Sequence, residues 1–179
     1  MLSEPLPSTL DVRKAAVRGV SIRGALKPLD LQRFRALLAD DAGLIQAELT
    51  FSRDEENRYL IHLDITAEVS VTCQRCLEPL PQILACENNL AIVWTDEQAA
   101  HLPRHLEPLV LEDEACRLWD VVEDELILAL PSFSYHDTEE CKQILARFNA
   151  AQAPAKEVEP ADKPNPFNVL AQLKPGSKT

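Results

Sequence analysis

Residues 59–73 read YLIHLDITAEVSVTC, and this run constrains the fold more than any other. Ile61, Leu63, Ile65, Ala67, Val69 and Val71 alternate with Leu60, His62, Asp64, Thr66, Glu68 and Ser70. A period of two puts the first set on one side of an extended chain and the second, mostly polar, set on the other. The run therefore predicts a long strand with one buried face. The charged SRDEEN before it suits a solvated hairpin turn. Upstream of that turn, LIQAELTF predicts another strand, with Leu44 apolar and Ala47, Leu49 and Phe51 on one side after a change of phase. Downstream, LPQILACENNLAIVW can return as an antiparallel partner, which leaves CQRCLEP at the tip between two long strands.

Around this centre the pattern is mixed. TLDVRKAAV admits a short helix capped by Thr9 or Asp11, and GVSIRGAL reads as a strand carrying Val20, Ile22 and Leu26. Asp30 can cap a helix through LQRFRALLAD, with Leu31, Phe34, Leu37 and Leu38 on one face. Residues 95–117 read as irregular, with a short strand in EPLVLEDEA. LWDVVEDELILALP predicts a helix whose apolar face carries Leu118, Val122, Leu126 and Ala129, and which Pro131 ends. Asp120, Glu123, Asp124 and Glu125 form its solvated side. The expectation is an α+β fold. A mainly antiparallel sheet spans residues 44–94, open or curled into a partial barrel, with helices 30–39 and 118–130 packed on it. One domain covers 1–148. From 149 to 179 a Pro-, Ala- and charge-rich stretch reads as a flexible tail. Near its end Phe167, Leu170 and Leu173 form a short amphipathic segment that can dock a partner or fold back on its own domain.

The 179-residue chain shows no apolar run long enough to span a membrane and no cationic–apolar leader, which points to the cytoplasm. Its five cysteines are too dispersed for a secreted disulfide framework. The net charge of −11 hides an asymmetry: residues 1–35 carry +4 and the remainder −15. Arg13, Lys14, Arg18, Arg23, Arg33 and Arg35 could therefore present a basic face to phosphates, with Arg75 at the hairpin tip as a further contact. The same cations also suit an ordinary solvated surface.

Cys73 and Cys76 form a C-x-x-C pair. Such a pair can give two thiolates to a tetrahedral zinc, act as a redox couple, or simply pack in a turn. Zinc needs two more ligands, and His136 and Cys141 in YHDTEEC are the best offer. Cys86 and Cys116 read as core thiols, and Trp94 and Trp119 as core anchors. His62 falls on the polar side of its strand, while His101 and His105 read as surface groups. No phosphate loop, G-x-S-x-G or H-E-x-x-H occurs, so the residues suggest no catalytic constellation.

Three segments carry a family likeness: VTCQRCLEPL, VEDELILALPSFSYHDTEEC and KPNPFNVLAQLK. In this order and spacing they resemble the bacterial YceD family, the large ribosomal RNA subunit accumulation proteins. The resemblance runs over nearly the whole chain. It implies a non-enzymatic cytoplasmic factor for the synthesis, processing or accumulation of large-subunit ribosomal RNA. Such a factor would bind precursor RNA, ribosomal assembly proteins or both, with no membrane and no small-molecule substrate. Other branches of the family carry further cysteines after the LALP segment. This chain keeps Cys73, Cys76 and Cys141, offers His136 where another ligand would stand, and lacks the rest. A zinc-binding or thiol-redox role for Cys73 and Cys76 is the alternative reading.

Overall fold

The computed structural model describes residues 4–144. The alternating run becomes β4, Tyr59–Thr72, the middle of a five-stranded sheet in the order β2-β3-β4-β5-β6. Its neighbours are β3, Gly43–Arg53, and β5, Pro79–Val93. Both pair with it antiparallel, from Arg53↔Tyr59 to Gly43↔Val69 on one side and from Tyr59↔Ile92 to Thr72↔Pro79 on the other. β2, Ser21–Leu26, extends the sheet antiparallel beyond β3, and β6, Glu107–Val110, runs parallel to β5. The sheet is open and does not close into the partial barrel that its long strands admit. Thr9–Asp11 (β1) and Ala115–Arg117 (β7) pair as a separate antiparallel ribbon.

The alternation decides which face is covered. Ile45, Leu49, Phe51, Ile61, Leu63 and Ile65 are completely buried on one side of the sheet. Against them pack α1 (Val12–Arg18), the short α2 (Gln32–Arg35) and α4 (Leu118–Ala129). α3, Asp96–Ala100, links β5 to β6. Removing such side chains from water contributes about 1.5–3 kcal/mol each, which offsets the ordering of so much backbone. Leu44 lies outside the buried set; Ile45 takes the inward place ahead of Ala47, Leu49 and Phe51.

Several local expectations change in three dimensions. Asp11 does cap α1, accepting a 2.9 Å hydrogen bond from Lys14 N, but Thr9 lies in β1 instead of opening the helix. The helix expected over 30–39 contracts to α2 behind a 3₁₀ turn at Pro28–Asp30. Asp30 closes that turn by accepting from Lys27 N at 2.8 Å. Beyond α2, Ala39 N bonds to Ser70 O on β4, so tertiary pairing replaces another helical turn. Phe34 stays buried while Leu37 is exposed. The region from 95 to 117 contains α3, β6 and β7, more order than its composition indicates. The expected tail 149–179, with Phe167, Leu170 and Leu173, lies outside the described residues.

Glu123 is the clearest departure. Expected on the solvated side of α4, it is 6% exposed. Its carboxylate accepts from Arg33 N at 2.6 Å, Phe34 N at 3.0 Å and Arg33 Nε at 2.8 Å. α2 begins at Leu31 without a capping side chain, and Glu123 supplies the missing anion from another helix. Burial acts to raise its pKa, but the Phe34 and Arg33 donors prevail and hold it below the usual carboxylate value. A group of this kind contributes stability above its unfolded pKa and loses it as pH falls through the lower folded value.

Glu123→Ala should therefore destabilise the protein by roughly 2–4 kcal/mol, since it strands the backbone donors of Arg33 and Phe34 and leaves Arg33 only its exposed pair with Asp124. Urea unfolding at neutral pH measures this. Because the lost contribution belongs to the ionised carboxylate, the gap between wild type and Glu123→Gln should shrink as pH drops below about 4.5.

Candidate metal centre

The tip that joins β4 to β5 is a tight backbone loop. Cys73 N donates to Glu78 O at 3.0 Å, and Leu77 N donates to Cys73 O at 2.9 Å. Leu77 closes the loop at φ 64°, a left-handed conformation unusual for a branched side chain. The amides of Arg75 and Cys76 fold over the Cys73 sulfur within this loop. A second segment reaches the tip after α4, where Gln74 N donates to Ser134 O at 2.9 Å. This bond holds residues 134–141 beside the cysteines, and Thr138 Oγ1 accepts from Cys141 N at 3.4 Å where a helical turn begins.

The result brings together all four residues that the sequence offers for a metal. The donor atoms of Cys73, Cys76, His136 and Cys141 lie within 4.8 Å of one another. Cys73 Sγ is 3.6 Å from Cys141 Sγ, and Cys76 Sγ is 3.2 Å from His136 Nδ1. A tetrahedral zinc with its usual bond lengths sets sulfurs about 3.8 Å apart and sulfur and nitrogen about 3.5 Å apart. The ring also has the right support. His136 Nε2 is 3.1 Å from Pro79 O, a carbonyl that can only accept; the ring N–H donated to it leaves Nδ1 free to face the thiols.

Electrostatics favour the thiolate at Cys73. Burial pushes Cys73 upward, but hydrogen bonds from the amides of Cys76, His136 and Arg75 outweigh it and bring the thiol down to about 5. Cys141 moves up, through burial and through the neighbouring Cys73 and Cys76 sulfurs, since two anions resist sharing one site. A cation between them would remove that conflict. Cys86 and Cys116 lie elsewhere, pushed to about 11 chiefly by burial, in line with their reading as packing thiols.

The basic residues do not gather in the same way. Arg13 pairs with Glu114 at 2.7 Å, Lys14 with Asp11 at 2.7 Å, and Arg23 with Glu48 at 2.8 Å. Arg33 holds Glu123 and Asp124, and Arg35 holds Asp41 at 2.5 Å. Arg18 is exposed at the end of α1. Arg75 stands apart from this set, beside the cysteines, with Nη1 3.9 Å from Cys141 Sγ.

The sequence model described as "Large ribosomal RNA subunit accumulation protein YceD" matches residues 61–174, from β4 through the four donors and beyond. The chain belongs to the YceD family. A relative from Haemophilus influenzae, named large ribosomal RNA subunit accumulation protein YceD, is 35% identical over 170 residues, covering 94% of this chain and 96% of its own length. No solved structure matches the chain. Sequence reasoning on this YceD protein found the four donors but missed Phe133 and Tyr135, which stand exposed beside them. Within the SFSYHD segment no period marks the two rings as a pair.

Because the Leu77 side chain is 75% exposed, its left-handed backbone is not repaid by burial. Leu77→Gly should raise stability by about 1 kcal/mol, visible as a higher melting temperature, whereas Leu77→Val should lower it.

Proposed function

We propose that this protein is a non-enzymatic cytoplasmic factor for the accumulation of large-subunit ribosomal RNA. It acts by holding precursor RNA, ribosomal assembly proteins or both. The observation that carries this reading is the family relationship along 94% of the chain to a relative whose name states that role. The cysteine–histidine cluster agrees with it. We infer that Cys73, Cys76, His136 and Cys141 hold a zinc ion. Four protein donors complete a tetrahedron and leave no coordination position for a substrate, as in structural centres and unlike catalytic ones. Zinc there would tie the β4–β5 tip to the segment after α4.

A thiol-redox role for Cys73 and Cys76 is the weaker reading. Cys76 faces His136 and Cys73 faces Cys141, so the motif pair belongs to a set of four and not to a dithiol standing alone. For macromolecular contact, the N-terminal cations are largely compensated by their own carboxylates. Exposed pairs of this type contribute only about 0–1 kcal/mol, so phosphates can still compete for Arg13, Lys14, Arg23 and Arg35. The acidic balance of the whole chain suits basic ribosomal proteins as partners.

Loss of the protein from its bacterial host should lower large-subunit ribosomal RNA relative to small-subunit RNA, and a wild-type copy should restore the ratio. An unchanged ratio contradicts the reading. Purified protein should carry about one zinc per chain, and Cys73→Ser should lose most of it; full retention of metal in that variant rejects the four-donor assignment.

A further inference from the structure

The segment that delivers His136 to the metal cluster also carries two aromatic rings that the cluster does not use. Ser134 faces inward and is buried, so its neighbours Phe133 and Tyr135 face outward together, as alternate residues of an extended chain do. Phe133 is 70% exposed and Tyr135 46% exposed. Their rings are parallel within 4°, with centroids 6.5 Å apart. The guanidinium of Arg75, from the cysteine loop, lies 5.0 Å over the Tyr135 ring. Exposed aromatic side chains cost solvation unless something covers them, and here a cation accompanies them. Nearby Asp137 and Glu139 share Lys142 Nζ at 3.1 Å and 3.0 Å, and among the described residues Arg75 pairs with no carboxylate, its Nη1 lying 3.9 Å from Cys141 Sγ.

We propose that Phe133, Tyr135 and Arg75 form a stacking platform for unpaired RNA bases. This inference rests on the direct-RNA version of the reading above and gives it a location. One feature selects unpaired bases over duplex RNA, and two more strengthen and position the contact. The Phe133 ring, 70% exposed beside the Arg75–Tyr135 pair, can accept the face of a base, which a paired and stacked base cannot present. A guanidinium plane adds a cation–π contact and can meet a phosphate on the same strand. Both parts of the platform are anchored to the same rigid support: Arg75 lies between the two motif cysteines, and Tyr135 precedes His136. Gln74 N to Ser134 O fixes one segment against the other directly. The N-terminal cations show no comparable arrangement with exposed rings, since Arg13 spends its guanidinium on Glu114, Tyr59 and Trp94.

The test uses the full chain and fluorescence anisotropy with a labelled oligouridylate and a hairpin duplex as probes. The single strand should bind more tightly than the duplex. Phe133→Ala and Tyr135→Ala should each weaken single-strand binding by roughly 5- to 150-fold, the usual contribution of one stacked base. Phe133→Trp should keep it. Both alanine variants should still melt cooperatively and keep the salt slope, while Arg75→Gln should reduce the slope by about 0.7. Equal affinity of wild type and the Phe133→Ala/Tyr135→Ala double variant overturns the platform while leaving RNA binding elsewhere intact. Absence of any RNA binding by wild type overturns the platform and the direct-RNA reading together. Preference for the duplex also overturns the platform. So does loss of a ribosomal-protein contact in the double variant with single-strand affinity unchanged, which would assign the rings to a protein partner.

Discussion

The pairing of β4 on both sides is the constraint on which the rest depends. Eleven of its residues face β3 and all fourteen face β5, so its register is fixed twice. A slip of one residue would carry Ile61, Leu63 and Ile65 to water and bring Asp64 and Glu68 inside, a change that the hydrophobic effect forbids. Fixing the register fixes where the strand ends. Cys73 is the next residue after β4, and Pro79 opens β5, so the C-x-x-C loop is held at a defined height at the end of the longest hairpin. The face of β5 away from the helices is open to water, with Ile83 73% exposed there beside Glu68, and the hairpin tip bonds through Gln74 to Ser134 of the segment after α4.

Charge organises the other end of the molecule by local neutralisation. Several cations of the basic N-terminal region meet acids from distant strands and helices: Arg23 with Glu48 on β3, Arg13 with Glu114 before β7, and Arg33 with Glu123 and Asp124 on α4. Most of these pairs are exposed and weak. Glu123 differs because it is buried and also satisfies backbone donors, which makes it part of the joint between α2 and α4 and not a surface ornament. The linear asymmetry of charge therefore does not translate into a wholly basic face.

The fold was legible where burial and local pattern agree. β4 and the inward Ala47, Leu49 and Phe51 of β3 follow from period two, and α4 from its apolar stripe, since these elements rest on the same core. It was illegible where a distant group overrides the local one. Nothing near Asp30 announces that Ala39 will bond to Ser70, or that Glu123 will cap α2 across about 90 residues of chain. For the same reason the cysteine–histidine cluster was legible in its residue types but not in its geometry. Cys73 and Cys76 declare themselves by spacing, whereas the approach of His136 and Cys141 depends on the Gln74–Ser134 bond between segments 60 residues apart. Phe133 and Tyr135 gave no signal at all, because two exposed rings in a short extended stretch have neither the period of a core face nor the density of a motif.

A structural ion at the hairpin tip connects these observations. It would relieve the crowding of three sulfurs, use the ring nitrogen that Pro79 leaves free, and hold Arg75 and Tyr135 in register. Zinc K-edge X-ray absorption on the purified full chain tests this most directly. The account predicts a first shell of about three sulfurs near 2.3 Å and one nitrogen near 2.0 Å. A shell dominated by oxygen, or a metal-free protein with Cys73 and Cys141 joined as a disulfide, would contradict it.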